Sequence, residues 1–144
     1  IGELTANGLA AADRALVVTE PGYFALRGAE QALSAVSVVR DSSNLSLRAI
    51  GIVVNRARTR VREQRFRIKE LQQAYPGLLL EPIIPERSVV AKAQGAAVPV
   101  QSLPGSAARD MAGHFDTLLA SLRTKGLALG RGRRRTGSAP ETDE

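Results

Sequence analysis

The stretch RAIGIVVNRARTRVREQRFRIKEL, residues 48–71, decides how the rest of the chain is read. An apolar run over residues 50–54 ends at Asn55. Positive charge then arrives in bulk, as Arg56, Arg58, Arg60, Arg62, Arg65, Arg67 and Lys69 against only Glu63 and Glu70. A continuous apolar run of this length reads as a strand buried on both faces, the habit of parallel sheets. Beyond it, Val61, Ile68, Leu71 and Tyr75 share one stripe at helical spacing, which predicts a helix over 60–75. Strand followed directly by helix is the beginning of a βαβ unit. The basic segment itself admits three readings: a nucleic-acid surface, a base-recognition corner of a nucleotide enzyme, or an ordinary solvated face.

Working outward, the pattern repeats. Residues 4–12 are Ala-rich and helix-favouring, and residues 15–21 form a short apolar run closed by Pro21, again the pattern of a buried parallel strand. A helix is predicted over 23–41, with Leu26, Ala29, Leu33, Val36 and Val39 or Arg40 inward. Gly28 within it costs about 1 kcal/mol against Ala unless close packing needs it. After a loop at 41–44 comes the second strand, 47–54. Pro76 and Gly77 stop the basic helix. A third strand is predicted over 78–85, with Pro82 marking an edge, a bulge or a late start. Then come a short helix over 88–94 with Ser88 as its N-cap, a loop to 100, and a terminal helix over 106–125. The last presents Ala108, Met111, Ala112, Phe115, Leu118, Leu119 and Leu122 inward. Strands alternating with helices imply an α/β fold, part of a doubly wound parallel sheet with flanking helices. Three strands make a thin sheet, open on one side.

Composition sets the outer bounds. The chain has 144 residues, 44% of them hydrophobic but only 3% aromatic, so its core is aliphatic. The formal charge is +6. Of this, residues 125–144 contribute five basic residues against three acidic ones, leaving +4 on the body. A basic body is compatible with polyanionic partners. With no cysteine and a single histidine, His114, disulfides, thiolate nucleophiles and Cys- or His-rich metal clusters are excluded. No apolar run reaches the ~18 residues of a membrane span, and no charged-then-apolar signal segment opens the chain. The expected location is the cytoplasm. The chain opens on Ile1 and at once reads as the entry to a helix, so it is expected to be a piece of a longer protein. Residues 126–144 are Gly-, Arg- and Ser-rich without apolar periodicity and are expected to form a disordered basic and polar tail, following a domain over 1–125. The tail's run Arg131 to Arg135 reads as solvated, with contact to DNA or acidic lipid as the alternative.

The order of motifs resembles the ParA/Soj/MinD partition ATPases. The residues that carry the resemblance are Ala12-Asp13, Glu20-Pro21, Tyr23 with Ala25-Leu26-Arg27-Gly28, the strand ending in Asn55-Arg56, then Ile84-Pro85, Ala93 and Pro99, and the terminal helix. They cover residues 4–122. The departures are as informative. The family's Gly-rich phosphate loop with its Gly-Lys-Ser/Thr is absent from the sequence, as is the acidic Asp-x-Pro-Pro segment expected just before Ile1. Phosphate and magnesium chemistry needs those parts. The resemblance therefore implies the C-terminal half of a truncated P-loop fold. Its intact parent would hydrolyse ATP with Mg as an ATP-dependent homodimer, partition chromosome or plasmid DNA, bind DNA non-specifically in association with the nucleoid, and work with a ParB-like partner. The chain by itself is expected to be inactive, with no catalytic residue and no metal ligand of its own.

On the resemblance, Asn55, Arg56, Pro85 and Glu86 are the candidate base-binding residues. An Asn amide offers both a donor and an acceptor to an adenine edge, and strand carboxyl ends are where open α/β sheets bind ligands. The plain alternative is an Asn that turns the chain out of its strand. Arg58, Arg60, Arg62, Arg65 and Arg87 are the candidate DNA contacts. Phe66, flanked by Arg62 and Lys69, reads either as stacking with or pressing on a partner or, on a solvated arginine face, as covered by the missing half of the fold or by a dimer mate. Val89 stands where a basic residue is often found in Soj-like proteins. His114 reads as structural. The rival functional class is a non-enzymatic α/β adaptor or regulatory domain that binds a partner through the basic helix. A dethiobiotin-synthetase-like nucleotide enzyme is a weaker third.

Overall fold

A computed structural model describes residues 2–128. The element order is α1 (Glu3–Ala11), β1 (Arg14–Thr19), α2 (Ala25–Ser42), β2 (Arg48–Val54), α3 (Arg62–Ala74), α4 (Ser88–Gly95), a 3-10 turn at Val100–Ser102, and α5 (Ser106–Ala128). Strands β1 and β2 pair in parallel, Leu16 opposite Gly51 through Thr19 opposite Val54. An irregularity between Ala15 and Leu16 shifts the register by one residue.

Strand β2 is the centre of the molecule. Ile52 and Val54 face one side, where Val17, Ala25 and Ala29 of α2 and Ile68 and Leu71 of α3 close over them. Val53 faces the other, against Leu80, Ile84, Ala93 of α4, Val100 and Met111 of α5. Helices therefore cover both faces of a small α/β sheet. A third cluster, Ala15, Val36, Val39 and Leu47, closes the far end beneath α1.

Several expectations need correction. The predicted third strand does not form as a regular strand. Residues 78–85 meet β2 only at two isolated bridges, Ile52 with Leu79 and Ala57 with Pro85. The hydrogen bonds run from Ile52 N–H to Leu78 O, Leu80 N–H to Ile52 O and Ile84 N–H to Val54 O. Between them lies the cis peptide Glu81–Pro82, and a proline has no N–H to give to a ladder. The sheet of the described residues is thus two-stranded and smaller than a doubly wound one. Second, β1 is buried on one face only: Val17 is 8% exposed, but Leu16 and Val18 are 37% and 59% exposed. Third, some inward assignments fail. Val61 is the residue before α3 and is 41% exposed, and Leu119 of α5 is 53% exposed. Ser88 is the first residue of α4 and not its cap, which falls to Arg87 without a side-chain hydrogen bond. Around Gly28 nothing lies close enough to require a missing side chain. Helix α5 continues to Ala128, beyond the predicted end at 125; the basic run Arg131 to Arg135 lies outside the described residues.

Candidate functional site

The site grows from the way β2 ends. Asn55 donates its N–H to Thr19 O at 2.8 Å, which carries the parallel pairing one residue past the strand. The chain then turns at Arg56, whose φ of 54° is a left-handed conformation uncommon for a residue with a side chain. Ala57 N–H donates to Ile84 O and Glu86 N–H donates to Ala57 O, both at 3.0 Å. Segments 55–58 and 84–87 are thereby laid side by side at the carboxyl end of the sheet.

Arg56 links three pieces of chain across this edge. Its Nη1 donates to Glu20 Oε1 at 3.0 Å, just past β1, and its Nη2 to Glu86 Oε1 at 3.1 Å. Arg58 Nε donates to the other oxygen of Glu86. The hydrogen bonds from Arg58 and Arg56 hold the Glu86 carboxyl below the ordinary range of a Glu. Both guanidinium groups remain substantially exposed, so the cluster is a surface network screened by water.

Asn55 is half-buried, and its side-chain amide has no hydrogen-bond partner among the described residues. It lines a cleft of about 780 Å³, together with Leu16, Val53, Pro85, Met111 and Phe115. Arg56, Glu86 and Arg87 line the same cleft. All four residues expected at a base-binding corner are therefore neighbours, but in two roles. Asn55 and Pro85 present an amide and an apolar wall. Arg56 and Glu86 are bonded to each other.

The expected DNA-contacting residues divide in the same way. Arg60 and Arg62 are exposed and make no ion pair among the described residues. Arg65 reaches only the Thr59 carbonyl and Arg87 only the Glu86 carbonyl, each at 3.4 Å. Arg58 is neutralised by Glu86. His114 sits with Nδ1 2.8 Å from the Asp110 carbonyl one turn earlier in α5. Among the described residues no group of three or more His, Cys, Asp or Glu is arranged to hold a metal, and no helix is long and apolar enough to cross a membrane.

Sequence reasoning missed the Glu20–Arg56–Glu86–Arg58 network. Its only sequence signal was an acidic residue just past β1 and another just past the apolar run 78–85. Arg67 was also missed. It is held by Glu63 and Glu70 at 2.8 Å each, and its guanidinium lies 5.0 Å from the Tyr23 ring and 5.1 Å from the Phe66 ring. The i,i+4 and i,i+3 spacing of these acids from Arg67 was a readable signal.

The architecture so far is that of an α/β protein with a cleft at the carboxyl end of its parallel strands. Comparison with known proteins adds partial similarity at low identity. The chain is 29% identical over 102 residues to the chromosome-partitioning ATPase Soj of Treponema pallidum, covering 71% of this chain and 40% of Soj. It is 34% identical over 98 residues to the protein IncC of Escherichia coli, covering 68% and 27% respectively. An uncharacterised protein of Methanocaldococcus jannaschii is 29% identical over 101 residues, covering 69% and 39%. The chain thus spans well under half the length of these relatives. No protein-family model matches it. The similarity to Soj agrees, at the level of a fragment related to partitioning, with the resemblance carried by the sequence motifs.

Proposed function

We propose that this chain is the C-terminal part of a ParA-type partition ATPase, contributing the base-reading end of the ATP site and a DNA-facing surface. The observation that carries the reading is Asn55: a half-buried residue whose side-chain amide has no protein partner among the described residues, at the carboxyl end of the central strand, on an apolar cleft. An amide with no protein partner, set on an apolar cleft, is free to pair with a ligand that supplies a matched donor and acceptor, and an adenine edge does so. Pro85 would bound the base on one side. Arg56 and Glu86, bonded to one another, would hold the two loops in place instead of reading the base.

The fit is one-sided. The base end suits a purine. The phosphate end does not, because the sequence contains no Gly-Lys-Ser/Thr and the described residues hold no acidic cluster for a metal. ATP and Mg belong in this reading to the intact parent, where the nucleotide supplies the free energy of the partitioning cycle. Association as an ATP-dependent homodimer, a ParB-like partner and a nucleoid-bound cytoplasmic location are part of the same proposal. The DNA surface consists of Arg60, Arg62, Arg65 and Arg87, whose positive charges are not met by carboxylates.

The test is ATP binding by the full-length parent. Asn55→Ala is expected to weaken ATP binding by about 1–3 kcal/mol, or roughly ten- to a hundred-fold, and to blunt discrimination against GTP. Unchanged ATP affinity with discrimination intact would overturn the base-reading role. A parent whose upstream sequence lacks a Gly-rich phosphate loop would favour the adaptor reading.

A further inference from the structure

The chain contains only five aromatic side chains, and three of them are exposed, two in contact and the third linked to them through Arg67. Tyr23 is 70% exposed, Phe24 74% and Phe66 53%. Tyr23 and Phe24 meet edge to face, with ring centroids 5.0 Å apart and planes at 86°. Arg67 ties Tyr23, in the turn before α2, to Phe66 on α3 by approaching both rings. Its own charge is met by Glu63 and Glu70. Leaving three large rings in water forgoes a large part of the burial free energy available to a chain so poor in aromatics.

At 100° per residue, Ile68 and Leu71 face the core and Phe66 stands near the opposite pole of α3. Tyr23 lies on the flank shared with Arg67 and its two carboxylates. Arg65 lies on the other flank, reaching toward Thr59. Arg62 and Lys69, one turn to either side of Phe66, make no ion pair among the described residues. An apolar aromatic centre, braced by an arginine held between two carboxylates and edged by two cations without counter-charges that leave the patch net positive, has the anatomy of a protein interface: a ring-built centre with a charged rim. The perpendicular rings make an angled seat for a side chain, unlike the parallel platforms that suit a run of stacked bases.

We propose that the Tyr23–Phe24–Phe66 patch docks an acidic segment of another protein, one that presents a large apolar side chain to the rings and carboxylates to Arg62 and Lys69. The inference stands apart from the ATPase reading but shares Arg62 with the proposed DNA surface; Phe66→Ala and Lys69→Glu leave all four arginines of that surface in place, so the two readings are tested separately.

A phage-displayed library of short random peptides, panned against the full-length protein that carries this chain, tests it. The recovered peptides are then synthesised and titrated by fluorescence anisotropy. Expected are sequences with Leu, Phe or Trp flanked by Asp and Glu, whose affinity falls with added salt. Phe66→Ala and Lys69→Glu should each weaken binding by about tenfold or more. Both positions are at the surface, and far-UV circular dichroism should be unchanged. Recovery of no binders, or of peptides without acidic enrichment, would overturn the proposal. So would equal affinity in the Phe66→Ala variant. Two further outcomes overturn it by naming another occupant. A change of oligomeric mass in Phe66→Ala would assign the patch to a second copy, and loss of oligothymidine binding in that variant would assign it to single-stranded nucleic acid.

Discussion

Arg56 Nη2 lies 3.1 Å from Glu86 Oε1, joining the turn after the central strand to the loop that precedes α4. Glu86 also accepts from Arg58, so one half-exposed carboxylate occupies two of the arginines that made the sequence look like a polyanion surface. Charges already matched by a carboxylate have less to gain from a phosphate. In the full-length parent, Arg60→Ala and Arg62→Ala should each flatten the log–log salt dependence of duplex DNA binding by about 0.9, one phosphate contact apiece. Arg58→Ala should leave the slope unchanged. A salt titration of the three variants beside wild type decides the matter. Equal slopes in all four would leave the basic face as ordinary solvated surface.

The same carboxylate makes the corner sensitive to acid. Glu86 is held below its ordinary value by hydrogen bonds from Arg58 and then Arg56. A group whose folded value is lowered contributes stability above its unfolded value and loses it as the pH falls through the folded one. The stabilisation from Glu86 should therefore be complete at neutral pH and fade as the solution is taken down through the carboxylate range. Thermal melts of wild type and Glu86→Gln should differ at neutral pH and converge in acid. A difference independent of pH would show that the pairing with Arg56 and Arg58 contributes nothing.

The central strand was legible because residues 50–54 are apolar without interruption, and burial on both faces leaves that mark. The helices that cover it were legible from their stripes, with Ile68 and Leu71 buried as their spacing demands. What failed was local. Val61 fits the stripe but precedes the helix. The run at 78–85 is as apolar as a strand, yet Pro82 divides its pairing. The exposed faces of Leu16 and Val18 leave no trace in an alternation too short to distinguish one buried face from two. At the site, the position of Asn55 could be read from the end of the apolar run. The pairing of Arg56 with Glu20 and Glu86 spans 36 and 30 residues of sequence, and no periodicity encodes so distant a contact.

Gly51 offers a test of how closely the irregular third segment lies on the central strand. A methyl group at this position would come within 2.5, 2.7 and 2.9 Å of the three outermost carbons of Leu80. Leu80 is itself 2% exposed and has little room to withdraw. Gly51→Ala should destabilise the protein by about 1–3 kcal/mol, the usual cost of overfilling a packed core. A truncation at Leu80 in the same chain should recover part of the loss, since the clash is with that side chain. Denaturant unfolding of the single and double variants measures both. An unaltered midpoint for Gly51→Ala would mean that residues 78–80 stand off from β2.

Asn44 closes the opposite end of the molecule. Its Nδ2 group donates toward the carbonyls of Leu9, Ala10 and Ala12 at 3.2, 3.1 and 2.7 Å, while its Oδ1 accepts from Ser46. The last carbonyls of a helix have no partner within the helix, and here a loop residue more than thirty positions away supplies one. Helix α1 has no fully buried residue of its own, so this amide is a principal link between it and the rest of the protein. Asn44→Ala should cost about 1–2 kcal/mol. Asn44→Asp should cost at least as much, because a carboxylate keeps the acceptor for Ser46 but has no N–H, where the amide shares its two among the three carbonyls. Hydrogen exchange locates the effect: amides of α1 should exchange faster in both variants while those of β2 keep their relative protection. Uniform loss of protection throughout the chain, or none in α1, would contradict the anchoring role.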